Sequence, residues 1–390
     1  MLSIHIRIAR EGSAYFCCST LLYYLCSVIN STLYLHIQMM TFTQSLSGVY
    51  FSSNVPDVKM STSGVRVLVT ITIDSEQIYC EHLYPVGGAV ALTDLSKLFT
   101  PYARQKLIVD VGINVQELNS SDAVLSSASL ECQVAYCAAE IISGNDHITA
   151  EDWFKGNYLT LLRNCKFTGE GRLEFLHYIG TDTASCKAYY SDGTFEVFAN
   201  LPPVGGNARF TTIDCSVDAF FKKDKAPLFY DIMAGERSFR FYVEPKGNPS
   251  PALLFVNSFG VEELLYCRGV HKVSPSFQRD STYIEGKLKN YNIVETRKFE
   301  ADTGYLSTEM AAWADDIFRS DQVRVVTFHN GQPRVGKEVV ITDSKSEVTN
   351  EDNNLAKFTF TYQYAQRNHN ILEYAKEGRI FDHTFDNTFN

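Results

Sequence analysis

The sequence predicts a mainly β protein built from tandem antiparallel β-sandwich domains with a few short helices. Residues 65 to 73 place Val or Ile at every second position, which is the period of a strand with one buried face. Aromatic residues make up 13% of the chain, with 26 Phe and 22 Tyr, and these residue types favour strands. Further short strands follow with turn sequences between them, as is typical of sandwiches.

Chain length and composition predict several domains. A chain of 390 residues is too long for one ordinary core, and 45% hydrophobic residues are enough to bury several. Turn-rich stretches and shifts in composition predict this division: a leader at 1–39, a β-sandwich domain at 40–145, a second β-rich domain at 146–247, a third β-rich domain with one helix at 248–365, and a flexible C-terminal arm at 366–390.

The leader allows three interpretations. Residues 12 to 56 contain no Asp, Glu, Lys or Arg, and the apolar stretch Ala14 to Ile29 follows Arg7 and Arg10, as in a signal peptide or anchor. Alternatively, translation begins at Met39 or Met40. In that case we expect that removing residues 1–38 leaves the fold intact. In the third interpretation the stretch is a buried structural segment.

The first two predicted domains contain strands and short helices. Beyond residues 65–73, the pattern predicts strands at Ile78 to Tyr84, Leu107 to Ile113 and Leu130 to Ile142, and a helix at Asp94 to Phe99 with Thr93 as N-cap. The second predicted domain contains a helix capped by Thr149 and ended by Gly156, a tight hairpin at Asp192-Gly193, and a strand in which Phe239, Phe241 and Val243 alternate.

The third predicted domain follows the Pro-rich linker Pro245 to Pro251. Ser307 is the predicted cap of a helix whose apolar stripe includes Trp313. The strands are predicted at Leu253 to Val256, Leu264 to Cys267, Val323 to Val326, Glu338 to Thr342 and Ala356 to Tyr364. Four aromatic residues on alternating strands are predicted core: Phe239, Phe241, Phe358 and Phe360.

The C-terminal segment from Gln366 to Asn390 has no helix or strand period. Aromatic residues stand singly in otherwise polar sequence, and these cannot form a core of their own. They suit an arm that becomes ordered on a neighbouring chain, so we expect oligomers to depend on this segment. The predicted assembly contacts are Tyr374, Phe381, Phe385 and Phe389.

Charge and cysteine content restrict the class of function. The net charge is −10 with a pI near 5.4, and an acidic chain without a basic patch is not expected to bind nucleic acid. The densest basic stretch, Lys287 to Lys298, is interpreted as a solvated strand pair. Of the ten cysteines, seven lie outside the leader, and an odd number cannot all pair within one chain. We therefore expect buried thiols in a reducing compartment.

Three stretches of the sequence match catalytic or metal-binding patterns only in part. Asp302-Thr303-Gly304 matches the aspartic-protease tripeptide, but a turn before a helix explains it better. Cys132 and Cys137 are five residues apart, so on a strand they point to opposite faces and do not chelate one metal. The acidic loop Asp343 to Asn354 lacks the spacing of a calcium hand. We expect no enzyme activity, no cofactor and no metal. Glycoside hydrolases use two carboxylates that are paired in space and leave no spacing pattern in the sequence, so the sequence does not exclude that class of enzyme.

Segments of the third domain resemble structural proteins of tailed bacteriophages and prophages. The segments are Leu254 to Glu262, the capped helix around Trp313, Val340 to Ser344 and Phe358 to Tyr362, with Val55-Pro56-Asp57 similar to the opening of such proteins. The resemblance implies a non-enzymatic tail or baseplate component that assembles with other virion proteins, forms a homo-oligomer, and resides in the virion or in the host cytoplasm during assembly.

A second class of function stays open. An exported cell-surface β-sandwich protein that binds glycans or acts in adhesion fits the same fold. In that case residues 14–29 are a real signal or anchor. Unless they are, we expect no association with a membrane. The true start site separates the two: a start at Met39 or Met40 favours the virion component, and cleavage near residues 26–32 favours export.

Overall fold

The computed structural model describes residues 40–140, 150–221, 225–245, 251–329, 332–345 and 355–365. The protein is mainly β, with antiparallel sheets and a few short helices. Chain contacts divide it into two compact units. Unit 1 holds the chain through Leu46, with Asp57–Thr93 and Gly112–Leu130, and unit 2 holds Ser47–Pro56, Asp94–Val111 and the chain from Glu131 onward.

Unit 1 is built from short strands. Its core includes alternating residues of one strand, since Val67, Val69, Ile71 and Ile73 are no more than 2% exposed. The elements are β1 Thr41–Gln44, β3 Val58–Ser61, β4 Arg66–Ile73, β5 Glu76–Leu83, β6 Ala89–Leu92, and the adjoining parts of β7 Ile108–Leu118 and β8 Val124–Ala135. One sheet has the order β1-β3-β6. In another sheet β5 is the edge strand, and β4, β7 and β8 follow it in that order.

Unit 2 contains the helices and the larger sheets. The helices are α1 Leu95–Lys106, α2 Ala150–Gly156, α3 Val217–Phe220 and α4 Thr308–Ala314, with 3-10 turns at Ser52–Asn54 and Asp315–Arg319. The strands are β2 Gly48–Phe51, β9 Cys165–Gly169, β10 Phe175–Ile179, β11 Ala184–Tyr189, β12 Phe195–Leu201, β13 Pro203–Gly206, β14 Phe210–Asp214, β15 Phe229–Ala234, β16 Arg237–Glu244, β17 Ala252–Val256, β18 Glu262–Tyr266, β19 Lys272–Ile284, β20 Lys287–Leu306, β21 Val323–His329, β22 Gln332–Lys345 and β23 Ala356–Tyr364.

Two sheets of unit 2 share one core, as in a sandwich. Five strands have the order β12-β11-β15-β16-β9, in which only β9 is parallel to its neighbour, and seven have the order β18-β17-β21-β22-β23-β20-β19. Tyr230 and Phe241 of the first sheet belong to the same buried cluster as Phe255 and Phe360 of the second, with Trp313 of α4 among them. The predicted domains 146–247 and 248–365 both contribute to this core, so the structure groups them in one unit.

Several predicted elements are confirmed. The strand at 65–73 is β4, although Val65 lies outside it and is exposed. The Asp192-Gly193 hairpin joins β11 to β12 with Tyr189 opposite Phe195, and the positive φ of Gly193 fits the tight turn. Ser307 caps α4, since its hydroxyl accepts a hydrogen bond from the Met310 N–H. The four predicted core residues, Phe239, Phe241, Phe358 and Phe360, are buried.

Other boundaries differ from the prediction. Asp94, not Thr93, is the N-cap of α1, and the helix extends past Phe99 to Lys106. The strand predicted at Leu130 to Ile142 ends at Ala135, because the chain turns there toward hydrogen bonds of Cys137 and Ala138. Thr149, most of the 245–251 linker, the 346–354 part of the acidic loop, the leader and the C-terminal segment lie outside the described residues.

Candidate functional site

The longest strand pair of unit 2 is a hairpin formed by β19 and β20. Lys272 pairs with Glu300 at one end and Ile284 pairs with Lys287 at the other. Glu285 and Gly286 form the two-residue turn with φ values of 53° and 76°, as a type I′ hairpin turn requires. Residues 274–297, here called the long hairpin, are exposed or only half-buried throughout.

Strand register places four large apolar side chains of the long hairpin on one face, among charged residues such as Arg279 and Glu295. Phe277 and Tyr283 lie on the same face of β19, since residues two apart share a side. Their face continues on β20 through Ile293, which pairs with Arg279, and Leu288, which pairs with Tyr283. The opposite face is mostly polar and carries Ser274, Ser276, Gln278 and Thr282, together with Ile284 and Val294. The apolar stripe, defined as Phe277, Tyr283, Leu288 and Ile293, is between 44% and 73% exposed.

The apolar stripe continues a surface that is buried further along the same strands. Val273 and Phe299 are paired on that face, and both belong to or pack against the core of unit 2. The Phe299 ring stacks on Tyr362 at 4.9 Å. A solvated hairpin would ordinarily carry polar residues on both faces, so the exposed apolar stripe is a candidate contact surface.

The long hairpin does not share the acidic character of the rest of the chain. Residues 274–297 carry four basic side chains and three acids, a net charge of +1. Because the whole chain carries −10, the remaining residues carry −11. The basic residues are Arg279, Lys287, Lys289 and Arg297, and the acids are Asp280, Glu285 and Glu295. A second acidic copy is therefore repelled less by the long hairpin than by the rest of the chain.

A second candidate is a buried charged cluster in unit 2. Lys166 of β9 donates to Glu174 Oε2 at 2.6 Å and to the Leu264 carbonyl at 2.7 Å, and its ammonium lies 5.0 Å from the Trp313 ring centre. Glu263 accepts hydrogen bonds from Trp313 Nε1 at 3.0 Å and from Asn257 at 2.9 Å. All of these side chains are at least nine-tenths buried.

The cluster contains titratable groups whose protonation is set by burial. Burial raises the pKa of Glu174, and the Lys166 ammonium opposes that rise. The pKa of Glu263 is raised for the same reason. A cavity of about 120 Å³ adjoins Lys166, Tyr266 and Trp313. These contacts link β9, β18 and α4, so the cluster connects three elements of the unit 2 core. The cluster does not test whether the protein has enzyme activity, and the expectation that it has none stays a prediction.

Unit 1 contains a different carboxylate, Glu117, bound by hydrogen-bond donors on both oxygens. Thr62, Ser63 and Gly64 donate to Oε1 through a hydroxyl at 2.6 Å and N–H groups at 2.8 and 2.7 Å, and Ser126 donates to Oε2 at 2.6 Å. Burial raises the pKa of Glu117, but these hydrogen bonds more than offset it and lower the pKa to about 2. The arrangement fixes the loop at residues 62–64 against β7.

The Glu117 site predicts an acid-dependent loss of stability. Because its pKa is lower in the folded chain than the ordinary 4.5, its contribution is present above pH 4.5 and is lost as pH falls toward 2. Between pH 6 and pH 3 the wild type should lose about 2 kcal/mol that Glu117→Gln does not lose. Urea unfolding of both proteins at the two pH values measures this. Equal losses in both proteins would refute the assignment.

Asp302-Thr303-Gly304 lies within a strand rather than in the predicted turn before a helix. The register of β20 against β23 shifts between Asp302 and Tyr305, and Gly304 has a φ of 73°, so the tripeptide forms a β-bulge. Asp302 is buried, accepts a hydrogen bond from the Gly304 N–H and pairs with Lys357 at 2.5 Å. The positive φ at this bulge accounts for the Gly at position 304, so the tripeptide does not need a catalytic role to explain it.

The cysteines of the described residues are unpaired thiols. Cys132, Cys137, Cys186, Cys215 and Cys267 are buried, while Cys80 is exposed. Burial raises the pKa of Cys132 to about 12 and that of Cys137 to about 11, which disfavours the reactive thiolate. Within the described ranges, no group of His, Cys, Asp or Glu is arranged to hold a metal ion.

The predicted assembly contacts Tyr374, Phe381, Phe385 and Phe389 lie outside the described residues, so the structure does not test them. The sequence interpretation of Lys287 to Lys298 as a solvated strand pair is wrong in one respect: these residues form one strand of the long hairpin, part of β20, and their partner is β19. The stripe itself was missed, although the spacing of Phe277 and Tyr283 was visible. In the part of the chain that the structure describes, no helix combines the length and hydrophobicity needed to cross a bilayer.

Comparisons with known proteins leave the family open. No known family and no curated protein matches the sequence. Among solved structures, the chain is similar to Rst D1-D2, with 9% identity and a TM-score of 0.21, covering 54% of this chain and 100% of that one. It is also similar to the I9-I11 tandem from titin, with 8% identity and a TM-score of 0.14, covering 84% and 90%. TM-scores this low carry no argument about function.

Proposed function

We propose that this protein is a non-enzymatic structural component that assembles with further copies of itself. The long hairpin is the observation that supports this, because the four large apolar side chains of its apolar stripe are exposed over both strands. The long hairpin carries a net charge of +1 and the rest of the chain −11, so charge favours a contact between copies through the hairpin over contacts through other surfaces.

The resemblance of residues 252–365 to tailed-phage proteins suggests where such an assembly belongs. The long hairpin lies within residues 252–365, between two of the segments that carry the resemblance, Leu254 to Glu262 and the helix around Trp313. We propose a tail or baseplate component, found in the virion and in the host cytoplasm during assembly, with other tail proteins as neighbours.

Hydrogen exchange of the full chain tests the proposal. A solvated hairpin exchanges its amides quickly, because its strand ends open locally, and docking suppresses that opening. We expect exchange in residues 274–297 to slow markedly between dilute and concentrated protein, while the β11–β12 hairpin changes little. Unchanged exchange in the long hairpin across the concentration range would contradict a role in assembly.

A further inference from the structure

A small pocket opens on unit 2 beside the buried charged cluster. Its volume of about 120 Å³ is close to that of a protein cavity of roughly 150 Å³ that holds benzene, so it suits one aromatic ring. Leu265, Leu306 and Trp313 line it and are buried, whereas Phe167 and Tyr305 line it and are 40% and 72% exposed. A buried apolar floor with exposed aromatic rings at its mouth is suited to an anchor side chain of a partner.

The charged side chains that line this pocket are both cations. Among the described residues, its lining includes Lys166 and Arg268 and no Asp or Glu. The Lys166 ammonium pairs with Glu174 inside the core. Arg268 is partly exposed and contacts Glu244 at 2.7 Å, a carboxylate that Arg172 also contacts at 3.0 Å. Because two guanidinium groups share Glu244, it does not fully offset the charge of Arg268, and the mouth of the pocket favours an acidic partner.

The C-terminal segment contains a short sequence repeat that matches this pocket. Phe381-Asp382-His383-Thr384 is followed by Phe385-Asp386-Asn387-Thr388 and then by Phe389-Asn390. Residues 381–390 are here called the Phe-Asp repeat, and they contain two acids and no Lys or Arg. Each Phe-Asp pair offers one aromatic ring next to one carboxylate, which is what a one-ring pocket with an arginine at its mouth accepts.

The course of β23 favours the pocket of a neighbouring copy. Ala356 at its start pairs with Leu306, which lines the pocket. Tyr364 at its end pairs with Val339 of β22. At about 3.3 Å per residue, β23 therefore ends about 26 Å along the strand from the pocket of its own copy. The C-terminal segment begins at that far end, so its own pocket is not the nearest target.

We propose that the pocket of one copy binds a phenylalanine of the Phe-Asp repeat of a second copy, with the adjacent aspartate paired with Arg268. The inference rests on the proposed function, because one anchored ring and one ion pair bury far less than the roughly 1,200 Å² of a stable interface. The long hairpin forms the assembly and the Phe-Asp repeat strengthens it. Each copy offers one pocket and one repeat, so the contact is heterologous.

Site-specific crosslinking identifies this contact in the full chain. p-Azidophenylalanine, which keeps a single ring, replaces Phe385, and in a control it replaces Tyr374, an aromatic residue outside the Phe-Asp repeat. Equal amounts of ¹⁴N- and ¹⁵N-labelled protein are mixed, so crosslinks between copies are recognised by their mixed isotopes. We expect crosslinks between copies from position 385 to residues 265–268 or 303–313, and few to those residues from position 374.

A charge reversal supplies the second readout. Arg268→Glu should weaken association of the full chain by about fivefold or more, because the attractive pair becomes a repulsive one. Adding Asp382→Lys and Asp386→Lys should restore association, a rescue that repair of the fold alone would not give. Arg319→Glu is the control, since Arg319 also pairs with one acid, Asp315, at 2.6 Å, and does not line the pocket. Sedimentation velocity over a range of concentrations measures all four proteins.

The outcomes separate this inference from the proposed function. Crosslinks from position 385 within one copy or to another surface would overturn the pocket assignment while leaving assembly through the long hairpin intact. Unchanged association of Arg268→Glu, or a charge-reversed protein that is not restored, would have the same meaning. Monomers of the wild type at every concentration, with no crosslinks of mixed isotopes, would overturn both.

Discussion

Replacing Lys166 by Met is expected to lower the free energy of unfolding of unit 2 by about 3–5 kcal/mol. The side chain is 6% exposed, and its ammonium is the hydrogen-bond partner of Glu174 Oε2. Glu174 is 1% exposed, so without this cation its charge stays buried with less compensation, although Arg172 still contributes. Urea denaturation followed by Trp fluorescence measures the loss, since Trp313 lies beside Lys166.

The control for this prediction removes both charges. The double variant Lys166→Met with Glu174→Leu removes the carboxylate that loses its hydrogen-bonded cation, so much of the lost stability should return. Glu263 remains buried, but it keeps its hydrogen bonds from Trp313 and Asn257. Acidification should also relieve the single variant relative to the wild type, because burial raises the pKa of Glu174 and the folded chain binds its proton more readily. A single variant as stable as the wild type would show that the ion pair contributes nothing.

Truncating Phe358 to Ala is expected to cost about 3–5 kcal/mol. The ring is fully buried on β23, with Phe318 at 5.9 Å between ring centres, and it belongs to the core shared by both sheets of unit 2. The same change at Phe195, which is 61% exposed on β12, should cost under about 1 kcal/mol. Thermal melting of both variants provides the comparison. An unchanged melting temperature for Phe358→Ala would mean that this face is wrongly assigned.

Strand faces and helix starts are predicted well because they depend on residues that are close together in the sequence. Alternation identifies the buried faces of β4 and β23, and the hydroxyl of Ser307 identifies the start of α4. Thr93 was the wrong cap since neighbouring Asp94 adopts a left-handed conformation that no spacing rule reveals. The residues Asp302 to Gly304 were placed in a turn because a bulge depends on the register with β23.

The candidate sites depend on contacts between distant parts of the chain. Lys166 also bonds the Leu264 carbonyl, 98 residues away, so a lysine in an alternating strand showed no sign of being buried. The long hairpin could be inferred only as a solvated strand pair, since its apolar stripe requires the pairing of Tyr283 with Leu288 and of Arg279 with Ile293. Periodicity in one strand does not give the register of its neighbour.

Sedimentation velocity of the full chain and two triple variants tests the assembly role most directly. One variant replaces Tyr283, Leu288 and Ile293 with Thr on the apolar face, and the control replaces Ser274, Ser276 and Gln278 with Thr on the polar face. Thr suits exposed strand positions, so neither set should unfold the hairpin. The account predicts concentration-dependent oligomers for the wild type and the control, and monomers for the apolar-face variant. Identical distributions for all three proteins would contradict it.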